Sequence, residues 1–178
     1  MRVTSLNPNC WRAAPGNRVL AIDGGAVRFE CPADWFFAAT SQCVCVSDLR
    51  PPQVRTMLAL SWRRIPHEAR ALSLPHLIAE LADAGRRPGA ERGTVMRVFR
   101  PPLELAWTEL RFPNRLGKQT AGVRLCLARS GCTQALAVFD FQIEDSLALF
   151  DVWETFLRTV AVGETIDARR GRRREQWG

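Results

Sequence analysis

The sequence predicts a single α+β domain, in which an antiparallel, meandering β-sheet of about six strands is flanked by two main α-helices. Two hairpin patterns, at residues 18–31 and 122–141, indicate strands that run antiparallel to their neighbours. Two amphipathic stretches, at residues 73–85 and 146–160, indicate the helices. The length of 178 residues suits one domain, and the content of 47% hydrophobic and 24% charged residues excludes a wholly disordered chain or a pure coiled coil.

Three segments are expected along the chain. Residues 1–17 form an N-terminal extension, residues 18–162 form the folded domain, and residues 163–178 form a basic tail. The extension has no basic start followed by an apolar core, so we expect no secretory signal. No apolar run reaches the roughly 18 residues of a spanning helix, and we therefore expect a cytoplasmic protein whose thiols stay reduced.

The first elements along the chain are strands. Residues 18–31 form a hairpin, because the turn Asp23-Gly24-Gly25 supplies residues that adopt positive φ angles. Residues 35–46 are rich in aromatic and β-branched side chains and predict one or two further strands. Residues 56–65 alternate between two faces, as a strand does.

The first helix follows these strands. Ser73 stands where an N-cap residue accepts a hydrogen bond from the first turn, and Gly85 can end the helix in a left-handed conformation. Between them, four apolar residues recur at helical spacing: Leu74, Leu77, Ile78 and Leu81.

The second half of the chain predicts more strands and a last helix. Residues 94–99 and 103–112 form strands, and we expect a bulge or a bend in the second because its apolar side chains change face midway. Residues 133–141 are apolar on both faces, which predicts a central strand covered on both sides. The helix at residues 146–160 presents one apolar stripe, made of Leu147, Phe150, Trp153, Leu157 and Val160.

Three sequence features resemble the PsbP/Mog1-like fold. These are Phe29-x-Cys-Pro32-x-Asp-Trp35 at the start, the helix Ser73–Leu81 between strands, and the strand Leu136–Phe141 followed by the last helix. The resemblance covers roughly residues 18–162, and the chain is most similar in pattern to the bacterial branch of uncharacterised and secretion-associated proteins. Because that branch includes chaperones of secreted effectors, the resemblance implies a role in holding another protein.

The basic charge is concentrated at the end of the chain. Basic residues number 25 against 18 acidic ones, a net charge of +7, and 24 of the 25 are arginines, a bias typical of a GC-rich bacterial genome. A cluster of arginines followed by a tryptophan could contact an acidic protein, nucleic acid or an anionic membrane surface, or could remain a solvated extension. The residues of this basic tail contact are Arg169, Arg170, Arg172, Arg173, Arg174 and Trp177.

Few residues point to catalysis or to a metal. His76, Glu80 and Asp83 lie on one helix face at a spacing that suits metal ligands or an acid–base group, but also suits a solvated surface. Cys43-x-Cys45 is closer than the usual zinc spacing, which favours free thiols. The sequence holds no nucleotide-binding or hydrolase motif. We therefore predict no catalytic residue, no metal site and no cofactor.

Aromatic side chains are the candidate protein-binding residues. Large aromatic residues usually fill a core, but on a concave apolar face they hold a partner's helix or strand. We predict a non-catalytic protein-binding module, an adaptor or chaperone for a partner such as a secreted effector. The alternatives are a structural subunit of a larger bacterial assembly, binding of nucleic acid or an anionic surface through the tail, and a small enzyme that uses His76, Glu80 and Asp83 or a cysteine. The candidate protein-binding residues are Trp35, Phe36, Phe37, Trp62 and Trp107.

Overall fold

A computed structural model describes residues 12–40, 43–85, 89–113 and 120–163 of the chain. Within these ranges the chain forms eleven β-strands and two α-helices, and every strand pairing is antiparallel. The prediction of an antiparallel α+β fold is therefore confirmed. The described strands are more numerous than the six expected: eight form a large sheet and three form a second, small one.

The small sheet has three strands, in the order β1-β2-β11. Its hairpin forms as predicted, since Asp23, Gly24 and Gly25 all adopt positive φ angles, of 52°, 64° and 94°. The sequence gives no sign of the third strand, because two residues are too few to show a periodicity. The strands are β1 Asn17–Ile22, β2 Val27–Pro32 and β11 Ala161–Val162.

The large sheet has eight strands, in the order β3-β4-β5-β10-β9-β8, with β6 and β7 both along the outer side of β8. The expected central strand is confirmed, because β10 lies between β5 and β9. The strands are β3 Phe36–Ala39, β4 Val44–Ser47, β5 Met57–Arg64, β6 Glu91–Arg92, β7 Met96–Arg100, β8 Leu103–Pro113, β9 Thr120–Ser130 and β10 Thr133–Gln142.

The two helices cover opposite faces of the large sheet. Helix α1, Leu74–Ala84, packs on Ala106 and its neighbours in β8 and β9. Helix α2, Phe150–Thr159, packs with the small sheet on the face that contains Leu105. Consecutive residues of a strand point to opposite faces, so each face of β8 meets its own helix. Of the bulge or bend expected in β8, the bulge is wrong: the register of β8 with β9 runs unbroken from Glu104 to Pro113.

Both helices differ from their predicted ends. Ser73 is the N-cap residue of α1, although its side chain makes no capping hydrogen bond, and Gly85 at the other end has a right-handed φ of −84°. Helix α2 begins at Phe150, four residues later than predicted. Leu147 therefore precedes the helix and is 89% exposed instead of joining its apolar stripe. None of the helices in the described ranges has the length and hydrophobicity to cross a membrane.

Candidate functional site

Strand β7 forms an open edge of the large sheet. Among the described residues it pairs with β8 alone, residue by residue from Met96 opposite Trp107 to Arg100 opposite Leu103. The short strand β6 pairs farther along the same side of β8. Between β6 and β7, the main-chain N–H of Gly93 donates to the main-chain oxygen of Glu109, at 2.8 Å. The outward N–H and C=O groups of an edge strand can pair with another extended chain.

The β7 edge exposes apolar side chains. Met96 is 48%, Val98 37% and Phe99 67% exposed, whereas Leu105 opposite Val98 is fully buried. Arg97 forms an ion pair with Glu104 at 3.1 Å, and its guanidinium carbon lies 6.0 Å from the ring centre of Phe99. We call Met96–Arg100 the β7 edge: it offers backbone pairing, apolar contact and positive charge on one strand.

A pocket lined by arginines opens at the end of the β7 edge. It has a volume of about 580 Å³ and lies between the small sheet, the end of α2 and the turn Pro101-Pro102. The guanidinium of Arg100 donates hydrogen bonds to the main-chain oxygens of Arg158 and Val160 and so holds the end of α2. Burial lowers the pKa of Arg100, and the positive charge of Arg28 lowers it further. We call this cavity the arginine pocket; the arginines that line it are Arg12, Arg28, Arg100 and Arg158.

Two buried ion pairs hold β8, to which β7 is attached. Arg124 Nε donates to Glu109 at 2.9 Å, and Arg129 Nη2 donates to Glu104 at 3.0 Å. Burial raises the pKa of Glu109, but the hydrogen bonds and charges of Arg124 and Arg111 outweigh that effect, so its net pKa is lowered. Strand β8, on which β7 pairs, is therefore fixed in the sheet by polar contacts as well as by packing.

The structure does not bring the five predicted aromatic residues together on one surface. Trp35 is 8% exposed and stacks on Phe139, with ring centres 6.4 Å apart. Trp62 and Trp107 are half-buried and pack against the same core. Because side chains alternate along β3, Phe36 faces away from that core and lies under Arg50, at 4.9 Å, whereas Phe37 is 36% exposed. Phe37 lies at the edge of the sheet opposite β7.

The polar residues considered for catalysis do not converge. His76 Nε2 lies 3.1 Å from Glu80, and both side chains are exposed. Asp83 instead pairs with Arg92 at 2.8 Å. In the described part of the chain, no group of three histidine, cysteine or acidic side chains is placed to hold a metal ion.

The two neighbouring cysteines lie side by side as free thiols. Cys43 Sγ and Cys45 Sγ are 3.7 Å apart. Burial, together with the hydrogen bond and the charge of Cys43, raises the pKa of Cys45 to about 11. Cys45 is therefore a poor nucleophile near neutral pH, because the thiolate is the reactive form.

The predicted tail contact, from Arg169 to Trp177, lies outside the described residues. The β7 edge and the arginine pocket are not among the sites predicted from the sequence. A strand is predicted at residues 94–99 and β7 forms there, but the sequence does not show that this strand lies at an open edge, because the order of strands in a sheet depends on long-range pairing. Its one available signal is the pair of arginines beside the apolar residues, followed directly by two prolines that interrupt strand pairing.

The chain matches a protein family over most of its length. Residues 18–166 match the Alr1449 family. The chain belongs to that family. The uncharacterized protein alr1449 of Nostoc sp. (strain PCC 7120) is 27% identical to it over 155 residues, which cover 86% of this chain and 81% of the relative.

Solved structures show the same fold at low sequence identity. The cyanobacterial PsbP (CyanoP) of Synechocystis sp. PCC 6803 has a TM-score of 0.61 and 12% identity, and the match covers 88% of this chain and 99% of that protein. LpqN, a protein involved in cell envelope biogenesis of Mycobacterium tuberculosis, has a TM-score of 0.56 and 9% identity, with 78% and 83% covered. The predicted PsbP/Mog1-like fold is confirmed.

A larger protein of Bacteroides thetaiotaomicron VPI-5482 contains a similar domain. Its TM-score is 0.60 at 11% identity, and the match covers 84% of this chain. This chain spans about half, 49%, of that protein's length. Likenesses at such low identity show the fold, and the function has to be argued from this chain's own surface.

Proposed function

We propose that this chain is a non-catalytic protein-binding module, an adaptor or chaperone, whose domain at residues 18–162 holds an extended segment of a partner protein along the β7 edge. The observation that carries the proposal is the exposure of Met96, Val98 and Phe99 on a strand that pairs on one side only, among the described residues. An added strand gains main-chain hydrogen bonds from the edge, and the side chains on either face select its sequence.

The positive charge of the β7 edge favours a partner segment that carries acidic residues. Arg97 and Arg100 lie on the β7 edge, and the arginine pocket continues the positive surface beyond it. A segment that alternates apolar and acidic residues would match both the exposed apolar side chains and the arginines. A second copy of this chain fits less well, because it would bring the same arginines together and because the chain carries a net charge of +7.

The reducing cytoplasm is the compartment that we propose for this activity. Cys43 and Cys45 lie 3.7 Å apart without a bond, and Cys132 is an exposed thiol. Such thiols persist where glutathione and thioredoxin keep cysteines reduced.

Peptide selection on the full-length chain tests the proposal. We expect a library of random ten-residue peptides to yield binders that alternate apolar residues with aspartate or glutamate. Val98→Asp removes an apolar contact at the centre of the β7 edge and introduces a negative charge that repels the acidic residues of these binders. It should weaken them at least tenfold, measured by fluorescence anisotropy. Because Val98 is 37% exposed, the substitution should leave the fold intact, which a thermal unfolding curve checks.

An exposed aromatic residue at the other edge of the sheet is the matched control. Phe99→Ser removes the exposed aromatic ring of the β7 edge and should also weaken binding. Phe37→Ser, in β3, should leave the affinity unchanged. The proposal fails if no peptide is enriched, or if binding is lost in Phe37→Ser and kept in Val98→Asp.

A further inference from the structure

The arginine pocket has the size and walls of a small-molecule site. Its volume of about 580 Å³ is in the range of ligand cavities. Apolar side chains from three parts of the fold form the rest of its lining, with Val19 from the small sheet, Leu103 from β8 and Val160 from the end of α2. A ligand held there would therefore meet apolar surface beside positive charge.

Positive charge exceeds negative charge in the pocket. Four arginines line it, and Glu30 is the one acidic residue that does so in the described part of the chain. The acceptors of Arg100 are main-chain oxygens, which are neutral, so these hydrogen bonds leave its charge uncompensated. Arg28, on the small sheet, lines the same cavity and adds to this charge. Arginine stays protonated at physiological pH, so the surplus is permanent.

A doubly charged anion matches this surplus better than a single carboxylate. A phosphate monoester carries about −1.5 to −2 charges at neutral pH and offers three strong acceptor oxygens. The planar guanidinium group donates two parallel hydrogen bonds to such an oxyanion. The apolar walls suit the organic group of an ester, which free phosphate lacks.

We infer that the arginine pocket binds a phosphate monoester with a small apolar group, held by Arg28 and Arg158, while Arg100 adds positive charge to the same pocket. The inference is independent of the β7 edge, because it rests on the lining of this cavity alone. The two arginines that would contact the phosphate stand 130 positions apart in the chain and line the same cavity because β2 and α2 pack together.

Calorimetric titration of the full-length chain at fixed ionic strength tests this inference. Phenyl phosphate should bind with one-to-one stoichiometry, and at least tenfold more tightly than either inorganic phosphate or benzoate. Arg158→Gln should weaken phenyl phosphate binding about tenfold, and Arg28→Gln should do the same. Arg64→Gln, an exposed arginine at the end of β5 that does not line the pocket, should leave it unchanged.

Two results would overturn the inference. One is the absence of saturable binding to the wild-type chain. The other is binding that Arg158→Gln and Arg28→Gln leave unchanged, which would assign the anion to other arginines. Arg158 is exposed, so its substitution decides the matter even if Arg28→Gln fails to fold. Arg100 is left intact because it holds the end of α2.

Discussion

Replacing Trp153 with alanine is expected to lower the free energy of unfolding by about 4 kcal/mol, the typical cost of truncating a large aromatic residue in a core. Trp153 is 1% exposed and joins α2 to the large sheet. Its ring lies 5.6 Å from Phe139, 5.4 Å from Phe156 and 5.7 Å from Trp107, centre to centre. Truncation leaves a cavity where these rings meet, and chemical denaturation monitored by circular dichroism measures the loss.

The same helix supplies the control for this prediction. Phe150 is 52% exposed at the first turn of α2, so Phe150→Ala should cost less than about 1 kcal/mol. Equal losses in the two variants would show that α2 does not pack on the sheet through Trp153, and would contradict the described core.

Replacing Glu109 with glutamine is expected to lower the free energy of unfolding by about 2–3 kcal/mol at pH 7. Glu109 accepts hydrogen bonds from Arg124 and Arg111, and the Arg124 side chain is 8% exposed. Nη1 of Arg124 is buried and has no hydrogen-bond acceptor in the described part of the chain. The carboxylate of Glu109 pairs with the charge of Arg124 through Nε. Without that carboxylate, a buried charge is left without an ionic partner.

The pH dependence separates this charge effect from a packing effect. The pKa of Glu109 is lowered in the folded chain, so its contribution is present above the pKa of the unfolded state and is lost as pH falls through the folded pKa. The difference between wild type and Glu109→Gln should therefore shrink at low pH, where the wild-type side chain is also neutral.

A surface ion pair is the control for the charge effect. Glu144 lies 3.9 Å from Arg55, and both side chains are more than half exposed, so Glu144→Gln should cost less than about 1 kcal/mol. If Glu109→Gln costs no more than Glu144→Gln, or costs the same at pH 3 and pH 7, the described ion pair does not stabilise the fold.

Local sequence patterns predicted the elements whose structure depends on neighbouring residues. The turn Asp23-Gly24-Gly25 and the helix that starts after Ser73 are set by backbone preferences and by helical spacing, and both form where expected. The apolar faces of residues 133–141 also predicted the central position of β10.

Elements that depend on distant packing were not predictable in this way. The change of face in β8 suggested a bulge because sequence alone does not show that α1 and α2 cover both of its faces. Strand β11 forms because the chain after α2 returns to β2. The third strand of the small sheet thus pairs with residues more than 130 positions earlier in the chain.

The candidate sites depend on tertiary structure for the same reason. An aromatic residue in the sequence is equally compatible with a core and with a surface, and the structure buries Trp35 while it exposes Phe99. The arginine pocket combines side chains from β2, β7 and the end of α2, which no spacing rule connects.

Amide hydrogen exchange on the full-length chain, with and without a selected peptide, tests the β7 edge most directly. Main-chain N–H groups of β7 that point away from β8 should exchange quickly in the free protein and at least tenfold more slowly when a peptide is bound as an added strand. Exchange at Phe36–Ala39, on the opposite edge, should not change. Slowing at β3, or an unchanged β7 in a saturated complex, would contradict the account.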